Sequence, residues 1–301
     1  MAALAACLPL APASLRKLIN FFINYLAYKK EQMALTINEI NAHPRDLLIE
    51  FDPIPHKYTC KGDANYMSVT TWLHSHFKPF DADAVIAKMM SNQKKWPTSA
   101  YYGQTPEQIK AQWNKNRDEA AAAGTAMHAA IEEYSIRPGP PHLAETSSQG
   151  NAEVLAEMGG SGGNPHFHAF ILAHPHLKPY RAEWMIFHED VKLAGSIDMV
   201  YENPDGTLMI YDWKRCKEIK KNNSFGEFAL TECINHLPDT NYWHYALQLN
   251  TYKAILEAKY EKKVTQMCLV CLHPNLPSYQ VWKVPTLANE MKELFALRRA
   301  L

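Results

Sequence analysis

The order of predicted helices and strands indicates an α/β fold. Two apolar, strand-like runs at 197–201 and 208–211 flank the turn sequence Asn203-Pro204-Asp205-Gly206, which is typical of a β-hairpin. Residues 241–260 carry apolar side chains at helical spacing, and another strand-like run follows at 264–272. Strands and helices in this order form a sheet that is covered by helices.

The first segment, 1–46, is predicted to be an N-terminal extension. Residues 1–30 contain no acid and carry four basic residues, and an apolar run covers 18–28. This composition fits an organelle-targeting segment, and it fits an amphipathic helix that docks on the core slightly better, because positive charge is sparse. Both interpretations stay open.

The second segment, 47–136, is predicted to contain short strands at 47–52 and 57–60 followed by helices. Asp81 is placed to cap one helix, and Thr105-Pro106-Glu107 begins a longer one that runs to about Tyr134. Within it Gly124, His128 and Glu132 are four residues apart and share a face, where the glycine would permit close backbone approach. A histidine and a glutamate at this spacing are more often a satisfied surface pair than a functional one.

The third segment, 137–165, is rich in proline, glycine and serine and is predicted to be a flexible insert. The fourth, 166–301, is predicted to be the main α/β core. We expect it to contain a helix at 167–173, a strand at 182–188, the hairpin, the helix at 241–260, strands at 264–272 and 279–284, and a closing helix at 287–301.

Acidic residues lie at the inner end of the hairpin. Pairing around the turn brings Asp198 close to Asp212, and strand alternation puts Asp212 and Lys214 on one face, opposite Tyr211 and Trp213. Paired carboxylates resist desolvation, and a hard divalent cation such as Mg²⁺ is the simplest remedy. A nearby lysine could then orient or deprotonate a water molecule. The alternative is an ordinary, partly solvated ion cluster.

Composition limits the classes of function. The net charge is zero at pH 7, so nucleic-acid binding would need a local basic patch, and the best candidate is the basic run after the hairpin, which begins at Arg215 and Lys217. No run of about 18 apolar residues predicts a membrane span. The six scattered cysteines favour reduced thiols and an intracellular, reducing setting.

Four short motifs follow one another along the chain, and their order is informative. They are Gly124-Thr125-x-x-His128, Gly195-x-x-Asp198, Asp212-x-Lys214 and Gln248-x-x-x-Tyr252. Together they resemble the motifs of the PD-(D/E)XK nuclease superfamily, RecB-like branch. Ser68-Val69-Thr70 also resembles the segment that leads into the first helices of phage, viral and mitochondrial-genome-maintenance single-strand exonucleases. The similarity covers roughly 51–284, and four ordered motifs are far more specific than one.

The resemblance implies a mixed central sheet of about four strands flanked by helices, with an N-terminal helical region. It implies that Asp198, Asp212 and His128 bind metal, that Lys214 is the catalytic base, and, more weakly, that Glu183 and Glu132 also bind metal. Six residues are assigned to substrate binding: Gln248, Tyr252, Arg215, Lys217, Ser68 and Thr70.

The activity implied is that of a Mg²⁺-dependent deoxyribonuclease, an exonuclease acting on single-stranded DNA or DNA ends in replication or repair. Mn²⁺ is expected to substitute, and a monomer is expected. The location in the cell stays open, and a mitochondrial or a viral intracellular setting would each be compatible with the resemblance. Some relatives carry an iron-sulfur cluster, but Cys268 and Cys271 are three apart in a strand and point to opposite faces, so none is predicted here. A catalytically silent nucleic-acid-binding module and an RNA-cleaving nuclease are the alternatives.

Aromatic residues offer a second route to single-strand binding. Tyr66, Trp72, Trp96, Tyr101, Tyr102 and Trp113 could stack on unpaired bases. Packing in the core or on the surface is the commoner role for any one of them.

Overall fold

The computed structural model describes residues 35–136, 164–223 and 225–300. The targeting or docking role of residues 1–34 and the character of the insert at 137–163 therefore lie outside the described residues. All of the proposed site residues lie within them.

The N-terminal part combines a small hairpin with three main helices. After helix α1 (Ile37–Ile40), strands β1 (Ile49–Asp52) and β2 (Lys57–Cys60) pair antiparallel. Strand β3 (Met67–Ser68) leads into helix α2 (Val69–His74), and helices α3 (Ala82–Ser91) and α4 (Pro106–Ile136) follow. The Asp81 side chain accepts a hydrogen bond from the Ala84 amide, as the predicted cap requires.

The C-terminal part follows the predicted order of elements. Helix α5 (Pro165–Ala173) precedes strands β4 (Lys178–His188), β5 (Leu193–Glu202) and β6 (Leu208–Lys214). Helix α6 (Asn241–Lys259), strands β7 (Val264–Cys271) and β8 (Gln280–Lys283), and helix α7 (Ala288–Arg299) complete the chain. Each element lies within a few residues of its predicted position, because each has its own cap, turn or apolar spacing.

The central sheet is mixed and has helices packed against it, which confirms the predicted fold class. β5 is its centre: β4 pairs antiparallel along the whole of one edge. On the other edge β3 pairs parallel at Met67↔Leu193 and Ser68↔Ala194, and β6 pairs antiparallel over Met199–Glu202. β7 lies parallel to β6, and β8 is antiparallel to β7. The described sheet has six strands where about four were expected, since the short strands β3 and β8 extend its edges.

Side-chain alternation divides the core between the two faces. On β6, Ile210 packs in the cluster that includes α2, α6 and α7, whereas Tyr211 and Trp213 pack in the cluster that includes α4 and α5. Cys268 and Cys271 on β7 likewise belong to opposite clusters, as predicted. Among the described helices, none combines the length and apolar character that crossing a bilayer requires.

Candidate active site

The main-chain pairing of strands β5 and β6 ends next to a pair of aspartates, Asp198 and Asp212. Main-chain pairing has the register Met199↔Tyr211, so Asp198 and Asp212 are the next positions on the two strands, as predicted. In place of the next main-chain bond, the Trp213 amide donates to Oδ2 of Asp198 at 2.8 Å. The Asp198 carboxylate thus fills the gap between the strands, and both acids lie at the point of separation.

Glu183 approaches the same point from the other side of β5. The register Ala182↔Met199 and Trp184↔Ile197 places Glu183 across from Asp198. Its backbone has φ +45°, a left-handed conformation that costs a non-glycine residue about 1–2 kcal/mol. Ser196 Oγ donates to Oε2 of Glu183 at 2.9 Å. A strained residue in a strand, held by neighbours next to a second carboxylate, is characteristic of a functional position.

Helix α4 supplies a histidine to these acids. His128 Nδ1 lies 3.7 Å from Oε1 of Glu183 and 3.6 Å from Oδ2 of Asp198. One ligand atom from each of the three residues falls within 4.8 Å of the other two, a spacing that could hold a metal ion. Glu183 was given little weight in the sequence, yet it belongs to this group, whereas Asp212 and Glu132 lie outside it.

Gly124, one turn before His128, does not have the predicted role. A Cβ built at Gly124 would meet no heavy atom within 4 Å. The expected close backbone approach at Gly124 is therefore wrong, because in the described chain no heavy atom beyond the adjoining residues and the local backbone of α4 comes within 4 Å of that position. Glu132, one turn after His128, lies close enough to Glu183 that burial and the charge of Glu183 raise its pKa.

Lys214 lies on the same face as Asp212, as strand alternation predicts. Its Nζ is 2.7 Å from Oδ2 of Asp212, 3.4 Å from Oε1 of Gln248 and 4.4 Å from the centre of the Tyr245 ring. Tyr245 was missed in the sequence. The only signal available was its spacing of three from Gln248 on a helix, which is too common to single it out.

Gln248 and Tyr252 hold helix α6 against the site. Nε2 of Gln248 donates to the Tyr252 hydroxyl at 3.1 Å. The Tyr252 ring lies against β5 where Gly195 has no side chain: a Cβ there would stand 2.8 Å from Cε1 of Tyr252. The Gly195-x-x-Asp198 and Gln248-x-x-x-Tyr252 motifs therefore contact each other through Gly195 and Tyr252.

The site opens toward the His128 side. The Asp212 side chain is 2% exposed and that of Asp198 is 12% exposed, whereas Glu183 and His128 are 28% and 31% exposed. Asp212 lies at the buried end of the site, and His128 and Glu183 lie at its opening. A ligand would thus reach Asp198 from the solvent past His128 and Glu183.

The pKa values show that the carboxylates of the site are not fully balanced by nearby positive charge. Burial, and then the charge of Asp212, raise the pKa of Asp198 to about 7. Burial opposes protonation of His128, but the neighbouring Glu183 and the charge of Asp198 outweigh this and raise its pKa to about 9. Burial likewise opposes the charge on Lys214, while Asp212 and Asp198 raise its pKa. The carboxylates thus favour the protonated forms of the groups around them.

These residues fit a hard divalent cation. Oxygen ligands with one imidazole suit Mg²⁺ or Mn²⁺. Oδ2 of Asp212 is fully enclosed, and although Lys214 lies close to it the contact lacks hydrogen-bond geometry. The Lys214 ammonium supplies the positive charge that a buried carboxylate requires, so the case for a cation rests on His128, Glu183 and Asp198.

The other predicted substrate residues lie apart from the acids. Ser68 caps α2: its hydroxyl accepts from the Thr71 amide and lies 3.2 Å from that of Thr70. Arg215 and Lys217 lie near His273, whose pKa is lowered by burial and then by these two charges. The structure does not bring Ser68 or Thr70 into contact with the carboxylates, and their role in binding substrate stays a prediction.

The aromatic candidates divide into two groups. Tyr66 and Trp72 are 7% and 3% exposed, so they are core residues and the prediction of base stacking is wrong for them. Trp96, Tyr101, Tyr102 and Trp113 reach the surface around the start of α4. Trp113 contacts Tyr101 and the exposed Phe80, each at a centroid distance of 5.9 Å.

Comparison with known proteins gives one family and two solved structures. A family model described as the PD-(D/E)XK nuclease superfamily matches residues 99–300, a range that contains every residue of the acid, histidine and lysine cluster. A "Putative exonuclease" from Eubacterium rectale is 12% identical over 78% of each chain, with a TM-score of 0.29. A protein designated SSO0001 is 12% identical over 64% of this chain and 69% of its own, with a TM-score of 0.25. No curated protein matches.

Proposed function

This chain belongs to the PD-(D/E)XK nuclease superfamily, and from that premise we propose that it is a metal-dependent deoxyribonuclease of the RecB-like branch, an exonuclease acting on single strands or ends. The observation that carries the proposal is the convergence of His128, Glu183 and Asp198 where β5 and β6 separate. Lys214 and Asp212 complete the site one strand away. The superfamily makes the protein a phosphodiester hydrolase, and the finer assignments are the proposal.

Metal binding is assigned to Asp198, Glu183 and His128, with Asp212 at the buried end. When bound, a divalent cation polarises a phosphate oxygen and lowers the pKa of a water molecule. Glu183 is fixed for this task by Ser196, and Asp198 by the Trp213 amide. Ligands held in this way need little reorganisation when substrate arrives.

Lys214 is assigned to the attacking water and to the charge that develops on the phosphate. Its raised pKa makes it an ammonium in the metal-free protein, so in that state it donates hydrogen bonds and does not accept a proton. Asp212, Gln248 and the Tyr245 ring hold the ammonium in place. We therefore assign Lys214 first to orienting water and stabilising the transition state, and its role as a base depends on the cation.

The surface around the start of α4 supports single-strand binding. It combines the exposed rings of Tyr102 and Phe80 with several basic residues. Residues 80–119 contain six basic residues, Lys88, Lys94, Lys95, Lys110, Lys115 and Arg117, and five acids, Asp81, Asp83, Glu107, Asp118 and Glu119. Lys110, Lys115 and Arg117 are paired with Asp83, Glu119 and Asp118, so the cations available to a phosphate are Lys88, Lys94 and Lys95. Trp113 and His128 lie on the same helix, about 22 Å apart along its axis. Exposed rings among cations match the unpaired bases and phosphates of a single strand.

The test is cleavage of labelled nucleic acid by purified protein. We expect Mg²⁺-dependent cleavage of DNA labelled at either end, faster for single strands and frayed ends than for blunt duplex or RNA. Asp212→Ala and Lys214→Ala should abolish cleavage with the fold intact by circular dichroism. Lys178→Ala changes an exposed lysine at the start of β4 and should keep wild-type cleavage.

Activity that persists in both Asp212→Ala and Lys214→Ala would contradict the proposed site. A wild-type protein that binds DNA but cleaves nothing with Mg²⁺ or Mn²⁺ would favour the silent binding module. Preference for RNA in the side-by-side panel would correct the substrate. A single species at the monomer mass in solution is the expected oligomeric state.

A further inference from the structure

Two cysteines lie beside the active-site lysine with their sulfur atoms in contact. Cys216 is two residues after Lys214, and Cys271 is the register partner of Lys214 on β7. The Sγ atoms are 3.3 Å apart. A disulfide has an S–S bond of about 2.05 Å, so closing one here would bring the sulfurs together by only about 1.3 Å.

The two thiols have unequal surroundings. Cys271 is 0% exposed, whereas Cys216 is partly exposed and can be reached from solvent. The Cys271 contact lowers the pKa of Cys216 despite its burial, and the nearby Lys214 ammonium lowers it further, while the same contact and burial raise the pKa of Cys271. An accessible thiol with a second thiol next to it is the arrangement found in peroxide-sensitive dithiols.

We propose that Cys216 and Cys271 form a modification site for hydroperoxides, which closes to an intramolecular disulfide and slows the enzyme. Hydrogen peroxide transfers one oxygen atom to the Cys216 sulfur, which gives a sulfenic acid and one water molecule. The Cys271 thiol then attacks that sulfur, and the S–S bond forms as the hydroxyl leaves with the thiol proton as a second water molecule. A reducing dithiol reverses the change.

Cys216 closely follows the end of β6 that carries Lys214, so we expect the disulfide to change activity. This step rests on the proposed function. Cys271 lies inside strand β7, whereas Cys216 lies beyond the end of β6, so closing the disulfide would shift the segment that leads from Lys214 to Cys216. The carbonyl of Lys214 accepts a bond from the Leu272 amide at 2.9 Å, which couples this segment to β7. A displacement of about 1 Å at a reacting group can cost about a hundredfold in rate. We expect the disulfide form to lose between about tenfold and a hundredfold in cleavage rate.

The experiment treats the full chain with one equivalent of hydrogen peroxide, alkylates the remaining thiols, and maps the product by mass spectrometry. We expect the loss of two hydrogen atoms and a linked pair of peptides that contain Cys216 and Cys271. Cys216→Ser, a change at a partly exposed position, should abolish the link. Cys233→Ser alters another partly buried cysteine and should leave the link in place.

Mapping does not need a working nuclease, so failure of this proposal is distinguishable from failure of the proposed function. The absence of the Cys216–Cys271 link in the oxidised, folded wild type would overturn it, as would a link that joins other cysteines instead. If the link forms fully but cleavage is unchanged, the inhibitory role is overturned. Recovery of cleavage with dithiothreitol in the wild type, together with peroxide resistance in Cys216→Ser, would support it.

Discussion

The ring of Tyr252 fills the space that a side chain at Gly195 would occupy. A Cβ at Gly195 would lie 2.8 Å from Cε1 and 3.0 Å from the hydroxyl oxygen of Tyr252. Through its hydroxyl Tyr252 holds Gln248, which in turn reaches Lys214. The absence of one side chain on β5 thereby sets the position of α6 over the site.

Gly195→Ala is the first test of this arrangement. The added methyl group should displace Tyr252, destabilise the protein by about 1–3 kcal/mol and lower the cleavage rate because Gln248 shifts away from Lys214. Denaturant unfolding and single-turnover kinetics measure the two effects. Gly124→Ala is the matched control: its Cβ meets nothing within 4 Å, so it should stabilise helix α4 by about 0.5–1 kcal/mol. Wild-type stability and rate in Gly195→Ala would contradict the packing argument.

Glu183→Asn should lower the cleavage activity without lowering the stability of the fold. Asparagine tolerates the left-handed backbone at φ +45° better than glutamate does, and it removes one of the mutually repelling charges. We expect the melting temperature of chelator-treated protein to stay equal or rise, while Mg²⁺-dependent cleavage falls at least tenfold.

The matched control is Glu261→Asn, since Glu261 also has positive φ, at +54°, but is exposed on the turn after α6. It should show a similar backbone effect on stability and no change in cleavage. Full activity in Glu183→Asn would remove Glu183 from the metal site.

Cation binding should release protons at neutral pH. In the metal-free protein the pKa of Asp198 is raised by burial and by the charge of Asp212, and that of His128 is raised to about 9, so a bound cation must displace protons from this site. Apparent Mn²⁺ affinity should therefore rise from pH 6 to pH 9 and fall as the pH is lowered. Calorimetry in buffers of different ionisation enthalpy measures the protons released. An affinity that does not change over this range would contradict the assignment.

His188 should contribute an acid-sensitive part of the stability. Burial, and then the charge of Lys259, lower its pKa from 6.5 to about 4, so between these values the unfolded chain binds more protons than the folded one. The free energy of unfolding should therefore fall as the pH falls through this window, by up to about 3 kcal/mol. His188→Gln should flatten the curve between pH 6.5 and 4, whereas His236→Gln, at a site that is 56% exposed, should not. A curve of unchanged slope in His188→Gln would rule out this source.

Local signals in the sequence were enough to predict much of the fold. The Asn203-Pro204-Asp205-Gly206 turn fixed the hairpin register, and alternation from Tyr211 to Lys214 fixed which side chains face Asp198. These features depend on a few neighbouring residues, which is why they are readable from the chain alone.

Features that depend on contacts between distant segments were not predictable. The left-handed backbone of Glu183, the Tyr245 ring under Lys214 and the contact of Cys216 with Cys271 all arise when the strands and α6 pack together. Gly124 shows the converse case, because its spacing suggested a close approach that the packing does not make.

The most direct test of the central claim is calorimetric titration of Mn²⁺ into the wild type and Asp198→Asn at pH 7.5. The account predicts saturable, stoichiometric binding to the wild type that is lost in Asp198→Asn and kept in Asp205→Asn, where the change lies in the exposed hairpin turn. An absence of binding to the wild type, or the same isotherm in Asp198→Asn, would contradict a catalytic metal site between β5 and β6.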